Sequence, residues 1–153
     1  MINRFRGKYA FLSNFYPCNG MAVKVNAEDF APCATAEHVF QAMKCIGEKG
    51  KRFIARAETP KEARRRGRRV PIRSDWDDIK VHVMFTVLKA KFSDPSLARQ
   101  LLATGSQSLI ENNWWHDNFW GNCECPKCKT IKGENHLGKL LMQLRDEIRE
   151  SLG

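Results

Sequence analysis

With 153 residues, of which 42% are hydrophobic and 28% charged, the chain is long enough for one packed domain and is not disordered by composition. No apolar run approaches the roughly 20 residues of a membrane helix, and the first residues lack a secretion signal, so we expect a cytoplasmic protein without membrane contact. The net charge of +9 favours partners that carry phosphate, either nucleic acid or phosphorylated small molecules.

Two N-terminal segments, YAFLSNF (9–15) and MAVKV (21–25), are predicted to be short strands around the turn YPCNG. Four helices follow from capping and periodicity. They start at the N-cap Thr35 and run to about Ile46, start at Thr59 and stop near Gly67, run from Ser74 to Phe92, and run from Asp94 to about Gly105. A last helix begins near Asn135, after an irregular segment over 109–132.

The pattern therefore predicts a mainly helical α+β fold, a single domain over residues 1–153 with a small N-terminal β-sheet. Much of the positive charge lies between Lys44 and Arg73, where twelve lysines or arginines accompany three glutamates. A charge run is usually a solvated helix face, and no nucleic-acid-binding motif accompanies this one. Charge alone therefore leaves the partner open.

The first predicted helix, TAEHVFQAMK, carries an unusual polar stripe. At ~100° per residue, Glu37, Gln41 and Lys44 share one narrow stripe beside the apolar stripe of Val39 and Met43. One interpretation is a set of partly exposed charges at the edge of the core. The other is a cleft wall, where desolvation lowers the pKa of a lysine and makes it a nucleophile for a carbonyl or an opened sugar.

The segment IENNWWHDNFWGN holds three tryptophans and the acids Glu111 and Asp117 without helical or strand periodicity. Aromatic faces stack on bases and sugar rings, and carboxylates beside such a platform can cleave glycosidic bonds. A core of tryptophans with Asp117 as a turn residue is an equally good interpretation. His116 is interpreted as a turn or surface histidine rather than as a ligand.

Three of the six cysteines, Cys123, Cys125 and Cys128, are clustered in CECPKC, and the other three are scattered and expected to be free. The cluster is close enough for one metal ion, but a structural zinc site needs four ligands. His116, His136 or an upstream cysteine would have to supply the fourth. Structural zinc and free thiols in a loop both remain open.

Seven stretches in order resemble the NADAR superfamily, also called the YbiA-like proteins, over nearly the whole chain. They are RGKYAFLSNFYP, TAEHVFQAMK, GRRVPIRSDWDDIKVHVM, LKAKF, LLATG, IENNWWHDNFWG and GENHLGKLLMQLR. The departure is the segment 122–132, where many relatives have a short glycine turn. The resemblance implies N-glycosidase activity without a catalytic cofactor, either on ADP-ribose attached to guanine in nucleic acid or on ribosylamino-pyrimidine phosphates of riboflavin synthesis.

The resemblance also implies roles for individual residues. Lys44 is similar to a Schiff-base catalyst that attacks the ribose C1, and Glu37 or Asp117 is the implied acid. We add Gln41, from the polar stripe, to the substrate-binding residues. The others implied by the resemblance are Ser13, Asn14, Phe15, Arg68, Arg73, Trp76, Trp114, Trp120 and Asn135.

Two other function classes compete with the enzyme. A module that binds ADP-ribose or NAD without cleaving it would keep Arg73 and the tryptophans but could dispense with Lys44 and Glu37. A zinc-stabilised nucleic-acid-binding domain would rest on the cysteines and the basic run. The joint presence of Glu37 and Lys44 favours the enzyme.

Overall fold

The computed structural model describes residues 1–153, and most of its regular structure is helical, so the predicted class is confirmed. Its α-helices are Ala36–Met43 (α1), Glu48–Ala55 (α2), Pro60–Gly67 (α3), Trp76–Lys91 (α4), Pro95–Ala103 (α5) and His136–Leu152 (α6). Its strands are Pro17–Lys24 (β1), Phe30–Thr35 (β2), Asn112–Asn113 (β3) and Asn122–Cys123 (β4). None of the helices combines the length and apolar character needed to cross a membrane.

The chain divides into two compact units, one formed by Asn14–Lys91 and the other by Met1–Ser13 with Phe92–Gly153. In the first unit, β1 and β2 form an antiparallel hairpin whose inward side chains, including Val23 and Cys33, are buried in alternation. Helix α1 contacts this hairpin as well as α2, α3 and α4. It is therefore the central element of its unit.

In the second unit, α6 buries Leu137, Leu140, Leu141 and Leu144 on one side, as its periodicity predicts. Strands β3 and β4 pair in parallel over two residues each. The guanidinium of Arg145 is buried and donates to Thr104 Oγ1 and to the carbonyl of Gln107. These bonds join α6 to the turn that follows α5.

The strand predicted over 9–15 is wrong. Residues Gly7–Leu12 form a 3-10 helix, with Gly7 at φ 60° and with backbone bonds from Tyr9 to Arg6 and from Ser13 to Ala10. Adjacent Phe11 and Leu12 are both buried, which a half-buried strand does not allow. The strand over MAVKV is confirmed within β1, whereas β2 and α2 were not predicted.

Candidate active site

Helix α1 is buried over nearly its whole length. Thr35 caps it by accepting a hydrogen bond from the backbone N–H of His38. The His38 ring is also engaged, with Nδ1 2.7 Å from Thr35 Oγ1 and Nε2 2.9 Å from the carbonyl of Ala57. The face of α1 that carries His38 is therefore packed rather than exposed.

Glu37 is only 3% exposed, so its interpretation as a partly exposed charge is wrong. Its Oε1 accepts from Gln41 Nε2 at 3.0 Å and from Arg64 Nε, on α3, at 3.1 Å. Its backbone N–H donates to the carbonyl of Asn14 at 3.1 Å. A buried carboxylate needs such partners, and together they hold Glu37 in one position.

Gly67 brings α3 close to the polar stripe. A Cβ at this position would overlap Gln41 Oε1 and would lie 3.0 Å from Lys44 Cε. Gly67 ends α3 as predicted, but it is required for this close approach and not for a left-handed turn.

Lys44 is the C-cap of α1 and remains partly exposed. Partial burial lowers the pKa of its amine; Glu37 and Cys45 oppose that shift, while Arg68 and Arg64 add to it. The effect of Glu37 on the pKa of Lys44 is thus opposed by Arg68 and Arg64, two arginines of the basic run. A lysine in this setting has an increased neutral fraction, which is the nucleophilic form.

Two buried side-chain oxygens, in residues that bond to Glu37, have no hydrogen-bond partner within the protein. They are Asn14 Oδ1 and Gln41 Oε1, in side chains that are 8% and 7% exposed. Both residues bond to Glu37, Asn14 through its carbonyl and Gln41 through its amide nitrogen. Buried acceptors of this kind are normally satisfied, so they can receive hydroxyl or N–H donors of a ligand or water.

The other predicted residues of this unit differ in their surroundings. The Phe15 ring lies against the Arg64 guanidinium, with 4.8 Å from Cζ to the ring centroid. Arg68 is exposed at the end of α3, but Arg73 makes a two-point ion pair with Asp75, at 2.6 and 3.0 Å. Trp76 packs on Phe40 at 5.1 Å between centroids and is a core residue.

A groove of about 450 Å³ lies along the apolar stripe of α1. Its lining includes Val39 and Met43 of α1, Thr86 of α4, and Arg73, but not Glu37, Gln41 or Lys44. The groove and the polar stripe therefore use neighbouring sides of one helix.

The remaining predicted residues belong to the second unit. Asp117 Oδ1 accepts from the backbone N–H groups of Phe119 and Trp120, at 3.1 and 2.9 Å. The Asn135 side chain bridges the backbone of Glu111 and Leu109. Both residues thus order loops, and Ser13 lies at the end of the N-terminal 3-10 helix.

The tryptophans of this unit do not form the core that one interpretation predicted. Trp114 and the adjacent Trp115 are each 59% exposed. Trp120 is half-buried and packs edge-on against Phe119, at 4.9 Å between ring centroids. The centroid of the His136 ring lies 6.3 Å from the centroid of the Trp120 ring.

The clustered cysteines meet the histidine that follows the exposed tryptophans. His116 Nδ1 lies 3.2 Å from Cys125 Sγ, 3.5 Å from Cys128 Sγ and 3.9 Å from Cys123 Sγ. The three cysteines are buried, and all four ligand atoms lie within 4.8 Å of one another. His116 is a turn residue as predicted, with φ 68°, but this set of side chains could also hold a metal ion such as zinc.

Sequence reasoning missed Arg64 and Lys91. Arg64 lies three residues before Gly67 and four before Arg68, so all three share one face of α3. This spacing could have placed Arg64 beside the predicted residue Arg68. Lys91 is 2% exposed on the buried side of α4. Because lysine is almost never fully buried, no pattern in the sequence indicated it.

A family model described as the NADAR domain matches residues 3–149. The chain belongs to the NADAR family. It is 39% identical to an N-glycosidase of Nostoc punctiforme over 150 residues, which cover 94% of this chain and 88% of that one. The NMR structure of Escherichia coli YbiA shares 34% sequence identity and a TM-score of 0.76, covering 99% of this chain and 87% of the other.

A longer relative is the chloroplastic riboflavin biosynthesis protein PYRR of Zea mays. It is 36% identical over 153 residues, which cover 92% of this chain. The matched part is only 23% of the maize protein's length.

Proposed function

We propose that this NADAR protein is an N-glycosidase that hydrolyses an N-ribosidic bond through a Schiff base on Lys44. The observation that carries the proposal is the cluster of Glu37, Gln41 and Lys44, closed by Arg64 and Gly67, in which burial lowers the pKa of the amine. Relatives named N-glycosidases support the same reaction class.

The reaction begins when the neutral amine of Lys44 adds to C1 of the ribose. The bond from C1 to the base nitrogen breaks, and the base leaves with a proton. The ribose ring then opens, and the proton that the amine nitrogen loses goes to the ring oxygen, which leaves an imine between Lys44 and C1. Water then adds to C1, and the C1–Nζ bond breaks to release the sugar and the free lysine.

Glu37 is the proposed proton donor and acceptor for these steps. It lies on the same stripe of α1 as Lys44, and its carboxylate raises the pKa of the Lys44 amine. Asp117 is the weaker candidate, since one of its oxygens already accepts two backbone bonds. We assign the unpaired oxygens of Asn14 and Gln41 to sugar hydroxyls and Arg68 to phosphate. Arg73 is less suited to phosphate because Asp75 occupies its guanidinium.

The test is borohydride trapping, in which the imine is reduced to a stable amine during turnover and the modified peptide is identified by mass spectrometry. We expect one adduct, on Lys44, which is lost in Lys44→Met. Lys91→Met is the matched control, because burial also lowers the pKa of Lys91. Turnover without an adduct, or an adduct that survives Lys44→Met, would overturn the Schiff-base mechanism.

Two substrate classes fit this chemistry, and each has an observation in its favour. The charge of +9 favours ADP-ribose on guanine in nucleic acid, because a small metabolite needs no broad basic surface. The maize relative is named a riboflavin biosynthesis protein, which favours a ribosylamino-pyrimidine phosphate. Release of base from each substrate, assayed in parallel at two salt concentrations, distinguishes them, since only the nucleic-acid reaction should weaken steeply with salt.

A module that binds ADP-ribose or NAD without cleavage is the alternative. It predicts saturable ligand binding that Lys44→Met leaves intact, with no base released from either substrate. That result would replace the proposed enzyme with a binding protein.

A further inference from the structure

The loop between Trp114 and Cys128 carries four metal-ligating side chains that the proposed glycosidase reaction does not use. We propose that His116, Cys123, Cys125 and Cys128 bind one structural Zn²⁺ ion. This ion would hold the turn that exposes Trp114 and Trp115.

The distances between the ligand atoms fit a tetrahedral zinc ion. Zinc–sulfur and zinc–nitrogen bonds of about 2.3 and 2.0–2.1 Å place a nitrogen and a sulfur about 3.6 Å apart at the tetrahedral angle. The observed separations from His116 Nδ1 to the three sulfurs are 3.2, 3.5 and 3.9 Å. The three nitrogen–sulfur distances therefore lie around the value expected for one zinc ion, and all four ligand atoms lie within 4.8 Å of one another.

The surroundings of Cys123 are those of a metal thiolate. Its Sγ accepts from the backbone N–H of His116 at 3.3 Å and from that of Cys125 at 3.5 Å. Its own backbone N–H donates to Asn118 Oδ1 at 2.9 Å. Donors to a ligating sulfur and a fixed ligand backbone are the supporting interactions that orient metal ligands.

Three thiolates and one imidazole complete the coordination of zinc and leave no position for water, so the site is structural and not catalytic. His116 adopts a left-handed backbone conformation, which a non-glycine residue keeps only when its surroundings impose it. Metal binding through His116 Nδ1 supplies that constraint. Because Trp114 and Trp115 directly precede His116, the ion also restricts these exposed side chains.

Metal analysis of the reduced, zinc-reconstituted full chain tests the assignment. We expect one zinc per chain, and Cys128→Ser and His116→Ala should each lower the zinc content severalfold. Cys18→Ser is the matched control, because Cys18 forms no disulfide and lies outside the cluster, so the variant should keep the same zinc content. Less than a tenth of an equivalent after reconstitution, or an equal loss in Cys18→Ser, would overturn the proposal.

Cobalt substitution keeps the test valid if the variants fail to fold, because it uses the unmodified protein. Co²⁺ should give the visible absorption of a tetrahedral thiolate complex, and one equivalent of Zn²⁺ should remove it. In the same samples, chelation should increase acrylamide quenching of tryptophan fluorescence, and Zn²⁺ but not Mg²⁺ should reverse the increase. An octahedral cobalt spectrum, or quenching unaffected by chelation, would contradict the site or its hold on the tryptophan turn, respectively.

Discussion

Lys44 and Lys91 stand at the carboxyl ends of α1 and α4, and burial lowers the pKa of both, yet their surroundings differ. Lys44 is partly exposed and interacts electrostatically with Glu37, Arg64 and Arg68. Lys91 is 2% exposed, and burial lowers its pKa to about 8, against an opposing effect of the Cys18 thiol. Its Nζ lies 5.9 Å from the centroid of the Tyr16 ring.

The comparison shows that a lowered pKa is not sufficient to identify a nucleophile. A riboside must reach the amine, and only Lys44 has an exposed side. The pKa of Lys44 also depends on neighbouring charges that can be removed one at a time, whereas that of Lys91 is set by burial. The two regions should therefore respond differently to pH, to added volume and to the loss of a single charge.

The largest effect is expected from Lys91→Met, and it concerns stability. The folded pKa of about 8 lies below the ordinary 10.5, so the folded state binds fewer protons than the unfolded state between these values. The unfolding free energy of the native protein minus that of the variant should therefore rise by about 3 kcal/mol between pH 8 and pH 10.5. Urea unfolding of both proteins across this range measures the difference.

Lys89→Met is the control for this measurement, because Lys89 lies on the same helix and is exposed, with its amine over Phe85. Its difference from the native protein should stay flat with pH. A flat difference for Lys91→Met as well would show that Lys91 is protonated in the folded state over this range. The pKa of Lys91 would then not be lowered by burial, and its comparison with the partly exposed Lys44 would fail.

Gly67→Ala is expected to reduce activity by about 10–100-fold, because the added methyl group displaces the Gln41 amide and crowds Lys44. Stability should change by less than about 1 kcal/mol, since alanine favours the helix more than glycine does. The ratio kcat/KM, measured beside the midpoint of thermal unfolding, separates the two effects.

Gly47→Ala provides the comparison for this substitution, because nothing lies within 4 Å of a Cβ at position 47. It should leave kcat/KM unchanged. Full activity in Gly67→Ala would mean that the cluster tolerates the volume of a methyl group. The close approach of α3 to Lys44 would then have no role in catalysis.

Helices α1 and α3, which carry Lys44 and Arg64, could be predicted because their signals are local. Thr35 and Thr59 cap α1 and α3 where the sequence indicates, and both accept the expected backbone bonds. The ion pair from Arg64 to Glu37 joins residues 27 positions apart, and the wheel of α1 contains no information about it. Burial of Glu37 therefore could not be deduced, although its position on the stripe could.

The irregular region from Leu109 to Lys132 was harder to predict, because its order comes from side chains that bond to distant backbone groups. Asn135 bridges backbone groups of Glu111 and Leu109, 24 and 26 positions away, which no periodic pattern reveals. The spacing of the three cysteines suggested a metal ion. The fourth member, His116, depended on a left-handed turn that the sequence does not specify.

The smallest expected effect is on the pH dependence of borohydride trapping at Lys44, when single charges around it are removed. Glu37 raises the pKa of Lys44 and Arg64 lowers it, so removing each charge should move the pH dependence of borohydride trapping in opposite directions. We expect the pH of the half-maximal trapping rate to shift downward in Glu37→Gln and upward in Arg64→Ala. Arg65→Ala, which removes an exposed arginine paired with Glu62, should cause no shift. Shifts in the same direction would show that the two substitutions act by changing the packing. The claim that the charges of Glu37 and Arg64 set the pKa of Lys44 would then be wrong.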